Sequence, residues 1–175
     1  MTSKFIYQDL FPISKDETVY RKLSGDYVRL ERLGSEEILK VDPKALTLLT
    51  QEAFKDINFL FRTSHLEQLA LILDDPEASF NDRFVAFTQL KNAAESAKGI
   101  LPSCQDTGTA IVVAKKGDHV WTDGKDEESL SRGIYEAYQN QNLRYSQLTP
   151  LSMFEEKNTG TGQKENSLLC SIPLI

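Results

Sequence analysis

The chain has 175 residues, of which 40% are hydrophobic and 26% are charged, and its formal net charge is −6. This length suits one domain with a buried core, and this composition excludes wholesale disorder and a fibrous repeat. The negative charge disfavours nucleic-acid binding, because that binding depends on clustered lysine and arginine side chains that meet phosphates.

The first predicted elements are a hairpin and a helix. Apolar and polar residues alternate in segments 27–31 and 37–41, which predicts two short strands joined around Gly34. Asp42 and Pro43 then supply an N-cap and a first-turn proline for a helix that runs to Phe61. The apolar stripe expected to face the core of this helix consists of Leu46, Leu49, Ala53, Ile57 and Leu60.

Two further helices follow at once. Ser64 and Glu67 fit a capping box at the start of the second helix, which is expected to end before Asp75-Pro76. The third begins near Ser79, with Asp82 in its first turn, and ends at Lys98-Gly99. Its inward face is predicted to carry Phe84, Phe87, Leu90, Ala94 and Ala97. Three amphipathic helices in succession need a common core.

The second half of the chain adds strands and a fourth helix. Segment 110–114 predicts a buried strand, which turns at 116–118 into a second extended segment, 119–122. A helix from about Glu127 to Gln141 follows, with Leu130, Ile134, Ala137 and Tyr138 on its inner face. The predicted fold class is therefore α+β, rich in helix, with a small β-sheet. Residues 1–157 are expected to form one domain, and the polar, aperiodic residues 158–175 a divergent, disordered tail.

A polar turn between the third helix and the strand at 110–114 contains the residues best suited to chemistry. Cys104 can ligate iron as a thiolate, and Gln105 and Asp106 can contact polar groups of a substrate. From the spacing alone, an ordinary buried cysteine in an acidic turn that is purely structural is the favoured interpretation of Cys104. Arg144, after the fourth helix, is a planar cation suited to a bidentate carboxylate contact, with an exposed surface charge as its alternative.

Two other site types fit parts of this turn. Cys104 as a nucleophile needs a nearby base, and the only histidines, His65 and His119, are both expected at the surface. Segment 106–110, Asp-Thr-Gly-Thr-Ala, matches the signature of aspartic proteases, whose paired carboxylates share one proton. Those proteases resemble all-β barrels with apolar residues before the aspartate, whereas helices surround this turn.

Several short strings occur in an order and spacing that are highly specific together. They are Ile38 to Val41, Asp75 to Ser79, Asn81 to Arg83, Lys98 to Pro102, Cys104 to Ala110, Asn142 to Gln147 and Asn158 to Thr161. From about Phe11 to Thr161 the chain resembles the start of class I fumarate hydratases, which are iron-sulfur-dependent and oxygen-sensitive. The resemblance implies an N-terminal domain of the class I fumarate hydratase type.

The resemblance also implies an activity and a set of site residues. Members of this family hold a [4Fe-4S] cluster through three cysteines and hydrate fumarate reversibly to (S)-malate, a step of the tricarboxylic acid cycle. Cys104 matches the first cluster ligand, Gln105 and Asp106 match contacts to the dicarboxylate or its hydroxyl, with Asp106 as the catalytic residue, and Arg144 matches a partner of a substrate carboxylate. A homodimeric parent enzyme is implied. A tartrate-specific hydro-lyase is the nearest alternative activity.

The chain departs from the family pattern near its carboxyl end. Its only cysteines are Cys104 and Cys170, and residues 163–175 lack the expected Lys-Gly-Gly-Gly context, so Cys170 is not expected to be a ligand. Because one thiolate cannot hold a cubane cluster, we expect the isolated chain to be inactive, as a product truncated after about Gly162. The alternative is a non-catalytic fragment that at most pairs with a full-length subunit.

Cysteine content and apolar patterning indicate the compartment. Two cysteines are too few for a disulfide framework, which permits a reducing environment. No apolar run approaches the roughly 20 residues needed to cross a bilayer, and the amino end lacks the apolar segment of a signal peptide. We therefore expect a cytoplasmic protein, with a mitochondrial location as the alternative, and no membrane partner.

Overall fold

The computed structural model describes residues 4–8, 12, 19–103, 110–141, 143, 148–158 and 170–171. Its elements combine four helices with short strands, so the predicted α+β class is confirmed. In chain order they are β1 (Val28–Leu33), β2 (Glu36–Val41), α1 (Pro43–Phe59), α2 (Thr63–Asp74), α3 (Phe80–Ser96), β3 (Val112–Val113), β4 (Val120–Trp121), α4 (Asp126–Asn140), β5 (Leu148–Pro150), β6 (Glu156–Asn158) and β7 (Cys170–Ser171).

A small mixed sheet has the strand order β1-β2-β4. The predicted hairpin is confirmed: β1 and β2 pair antiparallel, with Val28 opposite Val41 and Leu33 opposite Glu36. Gly34 in the connecting turn has a φ of 65°, a conformation that glycine adopts without steric cost. β4 joins the other edge of β2 in parallel, so residues distant in sequence complete the sheet.

Of the three predicted helix caps, two are correct. The Asp42 side chain accepts a hydrogen bond from the backbone N–H of Lys44, and α3 begins with a reciprocal capping box between Ser79 and Asp82. The capping box predicted for α2 is wrong. That helix begins at Thr63 after Arg62, which makes no side-chain cap, so Ser64 lies inside the first turn.

The core is centred on the packing of α4 against α1, the helix pair in closest contact in the described part of the chain. Ile134 and Ala137 of α4 are fully buried, as their predicted positions require. Gly133 lies so close to α1 that an added Cβ would collide with the carbonyl oxygen of Thr47. The Thr47 hydroxyl donates to the carbonyl of Ser129 at 3.0 Å, so the two helices are also joined by a hydrogen bond.

Two predicted core faces are largely exposed instead. On α3, Phe84 is 59% exposed, while Ala86, Ala93 and Ser96 are the buried residues. The small side chains allow α3 to approach its neighbour α2 closely, which turns the phenylalanines to the opposite side. On α1 the predicted stripe behaves in the same way: Leu49, Ala53, Ile57 and Leu60 are exposed.

The predicted buried strand at 110–114 is shorter and more exposed than expected. Only Val112–Val113 forms β3, and Ile111 beside it is 67% exposed. The strand does not turn back on itself at 116–118, because β3 pairs with β7 and β4 pairs with β2. β7 belongs to the predicted tail, and the predicted domain boundary at 157 stays a prediction. None of the described helices is long and apolar enough to cross a membrane.

Candidate functional site

The predicted site residues Cys104, Gln105, Asp106 and Arg144 lie outside the described part of the chain. Their immediate neighbours Ser103, Ala110 and Leu143 lie within it. The structure therefore describes the frame from which the candidate site residues extend, and their predicted roles stay predictions.

Ser103 fixes the chain where it enters the segment that contains Cys104. Its backbone N–H donates to the carbonyl of Asn58 at 2.8 Å, and its hydroxyl donates to the same oxygen at 2.9 Å. The last carbonyls of a helix lack intrahelical partners, and Asn58 is near the end of α1, so Ser103 satisfies one of them. The buried Ser96 hydroxyl does the same for Phe59 at 2.9 Å. The end of α1 is thereby tied both to α3 and to the entrance of the segment.

Buried residues also mark the other edges of the candidate site. Ala110, which follows segment 104–109 in the sequence, is 5% exposed, so the chain is part of the core again at this residue before β3. Leu143, which precedes Arg144, is 4% exposed, and its N–H donates to the carbonyl of Gln141 at 2.8 Å. Both segments with candidate site residues thus begin at a residue anchored in the core.

A half-buried polar cluster holds the start of α4. Lys116 Nζ donates to Thr122 Oγ1 at 3.1 Å and to Asp126 Oδ2 at 3.0 Å, and the Thr122 hydroxyl donates to Asp126 at 2.7 Å. Desolvation raises the pKa of the Asp126 carboxyl, but the hydrogen bonds from Thr122 and Lys116 outweigh it, so the pKa lies below its ordinary value. The carboxylate also lies in the first turn of α4, where the helix dipole favours a negative charge. The cluster joins the chain after β3 to the helix that leads to Arg144.

Both histidines are exposed, as expected. The ring of His65 stacks on that of Phe61 with 5.9 Å between centroids. His119 takes part in the sheet through its backbone, since its carbonyl accepts from the N–H of Leu39 at 2.7 Å. Neither shows the buried, oriented setting of a base that activates a nucleophile.

The described ranges contain no group of three or more His, Cys, Asp or Glu side chains that could hold a metal ion. Cys170 lies in β7, in register with Val112 of β3. A full set of metal donors is therefore not formed by the described residues alone.

Sequence reasoning did not identify the residues that anchor the frame. Ser103 and Leu143 adjoin predicted site residues, but nothing in their spacing points to Asn58 or Gln141 as partners. Lys116 and Asp126 are ten residues apart and come together across the turns on either side of β4, which are closed by the hydrogen bonds from Val120 to Gly117 and from Lys125 to Thr122. The one local sign of such an anchor in the sequence is the hydroxyl residue Ser103, directly before Cys104 in a predicted turn.

Comparison with known proteins identifies relatives along most of the chain. Residues 47–174 match the family model described as fumarate hydratase (Fumerase). The chain is 57% identical over 157 residues to "Fumarate hydratase class I, anaerobic" and 54% identical to "Fumarate hydratase class I, aerobic", both of Escherichia coli strain K12. It is 56% identical over 151 residues to "Fumarate hydratase 1, mitochondrial" of Leishmania major.

These matches cover most of this chain but less than a third of each relative. They include 90% of this chain but 29% of each Escherichia coli protein, and 85% of this chain but 28% of the Leishmania protein. The family match runs to residue 174, so it includes most of residues 163–175, which were expected to depart from the family pattern. A match over well above half of the chain, with these identities, shows that the chain belongs to the fumarate hydratase (Fumerase) family.

Proposed function

We propose that this chain forms the N-terminal part of a class I fumarate hydratase and contributes Cys104, Gln105, Asp106 and Arg144 to its active site. The observation that supports the proposal is the 57% and 54% identity to two class I fumarate hydratases over 90% of the chain. The reaction is the reversible hydration of fumarate to (S)-malate. The anchored residues Ser103 and Leu143 are the structural support for a site at these positions.

The chain's own residues fit only part of a [4Fe-4S] site. A cubane cluster ordinarily needs three or four cysteine thiolates, and the whole sequence has two cysteines. Cys104 would hold the cluster from the segment between Ser103 and Ala110, and further thiolates would come from other polypeptide. Such a cluster, when bound with one open iron, supplies a Lewis acid for the substrate hydroxyl.

The other proposed residues act on the dicarboxylate itself. Arg144 would pair with one substrate carboxylate through two parallel N–H donors and would stabilise negative charge that develops on it. A local cation is needed because a chain of net charge −6 repels a dianion at long range. The Gln105 amide would orient the substrate by donating to an oxygen, and Asp106 would take or return a proton at the hydroxyl.

The isolated chain provides the first test. After anaerobic treatment with iron and sulfide, the purified 175-residue protein should show no stable cluster absorbance and no hydration of fumarate. Cluster-dependent hydration that is lost in Cys104→Ala would contradict the partial site, and would point to Cys170 or to pairing of two chains as a ligand source.

The activity is tested in a chimera. In it, the matched segment of the anaerobic enzyme of Escherichia coli is replaced by this whole chain, so that Cys104 and Cys170 are both present. The chimera should hydrate fumarate, and Arg144→Lys should lower kcat/KM about tenfold or more, since lysine cannot make the bidentate contact. Arg132→Lys is the matched control, because Arg132 is an exposed arginine of α4 whose described ion pair is with Glu128 at 3.3 Å. Equal effects of the two substitutions, or a folded but inactive chimera, would overturn the proposal.

A further inference from the structure

An open apolar cleft lies between α1 and the segment that contains β3. Its volume is about 580 Å³. One wall is formed by Leu46, Leu49 and Ala53 of α1, and the other by Ile111 and Val113. The charged residues of its lining are Lys115, Lys116 and Asp126, of which Lys116 is paired with Asp126.

Apolar residues at the rim of the cleft, which the sequence pattern predicts to be buried, are exposed. Leu49 is 52% exposed, Ile111 67% and Val113 56%. The same side of α1 continues into exposed Ile57 and Leu60. Contiguous exposed apolar surface of this kind marks a site where another element packs.

The strand on the far wall carries a second indication. Segment 110–114 is apolar at every position, a pattern typical of strands that are covered on both faces. In the structure Ala110 is buried, whereas Ile111 and Val113 on the opposite face are exposed. One face of this segment is therefore covered by the described part of the chain, whereas the sequence pattern indicates that both faces are covered.

The comparisons indicate what fills the cleft. The family match at 47–174 includes most of α1, both strands β3 and β4, and α4, so the same walls are expected in the relatives. Those relatives have more than two thirds of their length outside the matched region, since the match covers 29% of them. We propose that the cleft seats an apolar segment of this additional polypeptide of class I fumarate hydratases, packed on Ile111, Val113 and Leu49. The proposal rests on family membership and not on the proposed activity.

The position of the cleft gives this contact a consequence for the candidate site. β3 follows directly after segment 104–109, which contains Cys104. A segment packed on Ile111 and Val113 would hold the strand from its exposed face, while Ser103 holds the other end of segment 104–109 through Asn58. The contact would therefore fix the chain at the exit of segment 104–109, as Ser103 fixes it at the entrance.

The test compares one substitution in two settings. Ile111→Asp is made in the isolated chain and in the chimera, and the temperature of half-unfolding is measured at one scan rate. In the isolated chain the substitution should shift this temperature by less than about 2 °C, because Ile111 is mostly exposed. In the chimera it should lower the temperature by about 3 °C or more, although the chimera is the larger protein, because an unpaired carboxylate is then buried.

Leu71→Asp is the matched control, since Leu71 of α2 is 70% exposed and lies outside the cleft. It should change the half-unfolding temperature little in either setting, and Ile111→Leu should behave like the unsubstituted chimera. The proposal is overturned if Ile111→Asp shifts the chimera no more than the isolated chain, if Leu71→Asp shifts it equally, or if the unsubstituted chimera does not fold. If Ile111→Asp instead splits a dimer of the isolated chain, the occupant is a second copy and the proposal is wrong.

Discussion

Gly133→Ala tests the close approach of α1 and α4 on which the core depends. The added Cβ would collide with the carbonyl oxygen of Thr47, and it would lie 2.9 Å from Thr50 Cβ and 3.1 Å from the backbone nitrogen of Gln51. Overpacking of this kind costs about 1–3 kcal/mol, and contact with backbone favours the upper end. Alanine recovers about 1 kcal/mol of helix propensity over glycine. The expected net loss is about 2 kcal/mol of unfolding free energy.

The loss is measured by urea unfolding of the 175-residue chain, followed by far-ultraviolet circular dichroism, with a thermal shift of about 4–8 °C as the parallel readout. Gly117→Ala is the matched control, because its nearest neighbour would be Val120 Cγ2 at 4.0 Å and its φ is not in the left-handed region. Gly117→Ala should be neutral or stabilise by a few tenths to about 1 kcal/mol. A Gly133→Ala protein as stable as the Gly117→Ala protein would refute the described helix contact.

Two further substitutions test the frame of the candidate site. Ser103→Ala removes the hydroxyl donor to Asn58 but keeps the backbone donor, so the unfolding free energy should fall by about 1 kcal/mol. The control Thr88→Ala, on the exposed surface, should change it by less than about 0.5 kcal/mol. Equal changes in the two variants would contradict the role of the Ser103 hydroxyl as an anchor. Asp126→Asn tests the cluster that Asp126 forms with Lys116 and Thr122. Because the pKa of Asp126 is lowered in the folded state, its carboxylate stabilises the fold above the unfolded-state pKa of about 4, and this stabilisation is lost as the pH falls through the folded-state pKa. The difference in unfolding free energy between wild type and Asp126→Asn should therefore be largest above about pH 4 and shrink as the pH falls further, and a difference that grows toward acid would contradict the described hydrogen bonds.

Local sequence signals predicted the elements well. Alternation located β1 and β2, Asp42-Pro43 located the start of α1, and Ser79 with Asp82 located the start of α3. These signals act within a few residues, so a single sequence contains them in full. The start of α2 shows their limit, because the helix begins at Thr63, one residue before the predicted cap Ser64, and Arg62 before it makes no side-chain cap.

Burial could not be predicted as well, because it depends on what packs against a face. Helical periodicity identified Leu49 and Ile57 as one face of α1, and that face is exposed in the described part of the chain. On α3 the small residues Ala86 and Ala93 provide the packed face, since close helix approach favours them over phenylalanine. Contacts that join distant residues, such as Ser103 with Asn58, have no local signal at all.

The candidate site depended on resemblance more than on spacing. By its sequence context, Cys104 is compatible with a buried thiol, a nucleophile or an iron ligand. Because His65 and His119 are exposed, the interpretation of Cys104 as a nucleophile is disfavoured. The family match shows the fumarate hydratase family, and the role of Cys104 as an iron ligand stays a proposal. Cys104 and Arg144 lie outside the described residues, so their roles depend on experiment.

The most direct test of the proposed site compares Cys104→Ser with Cys170→Ser in the chimera, after anaerobic reconstitution with iron and sulfide. Iron content, visible cluster absorbance and fumarate hydration are measured on the same samples, and circular dichroism checks that each protein is folded. We expect the Cys104→Ser chimera to lose the cluster and the hydration while staying folded, and the Cys170→Ser chimera to keep both. A Cys104→Ser chimera that retains a full cluster, or a Cys170→Ser chimera that loses it, would contradict the assignment of Cys104 as the cluster ligand of this chain.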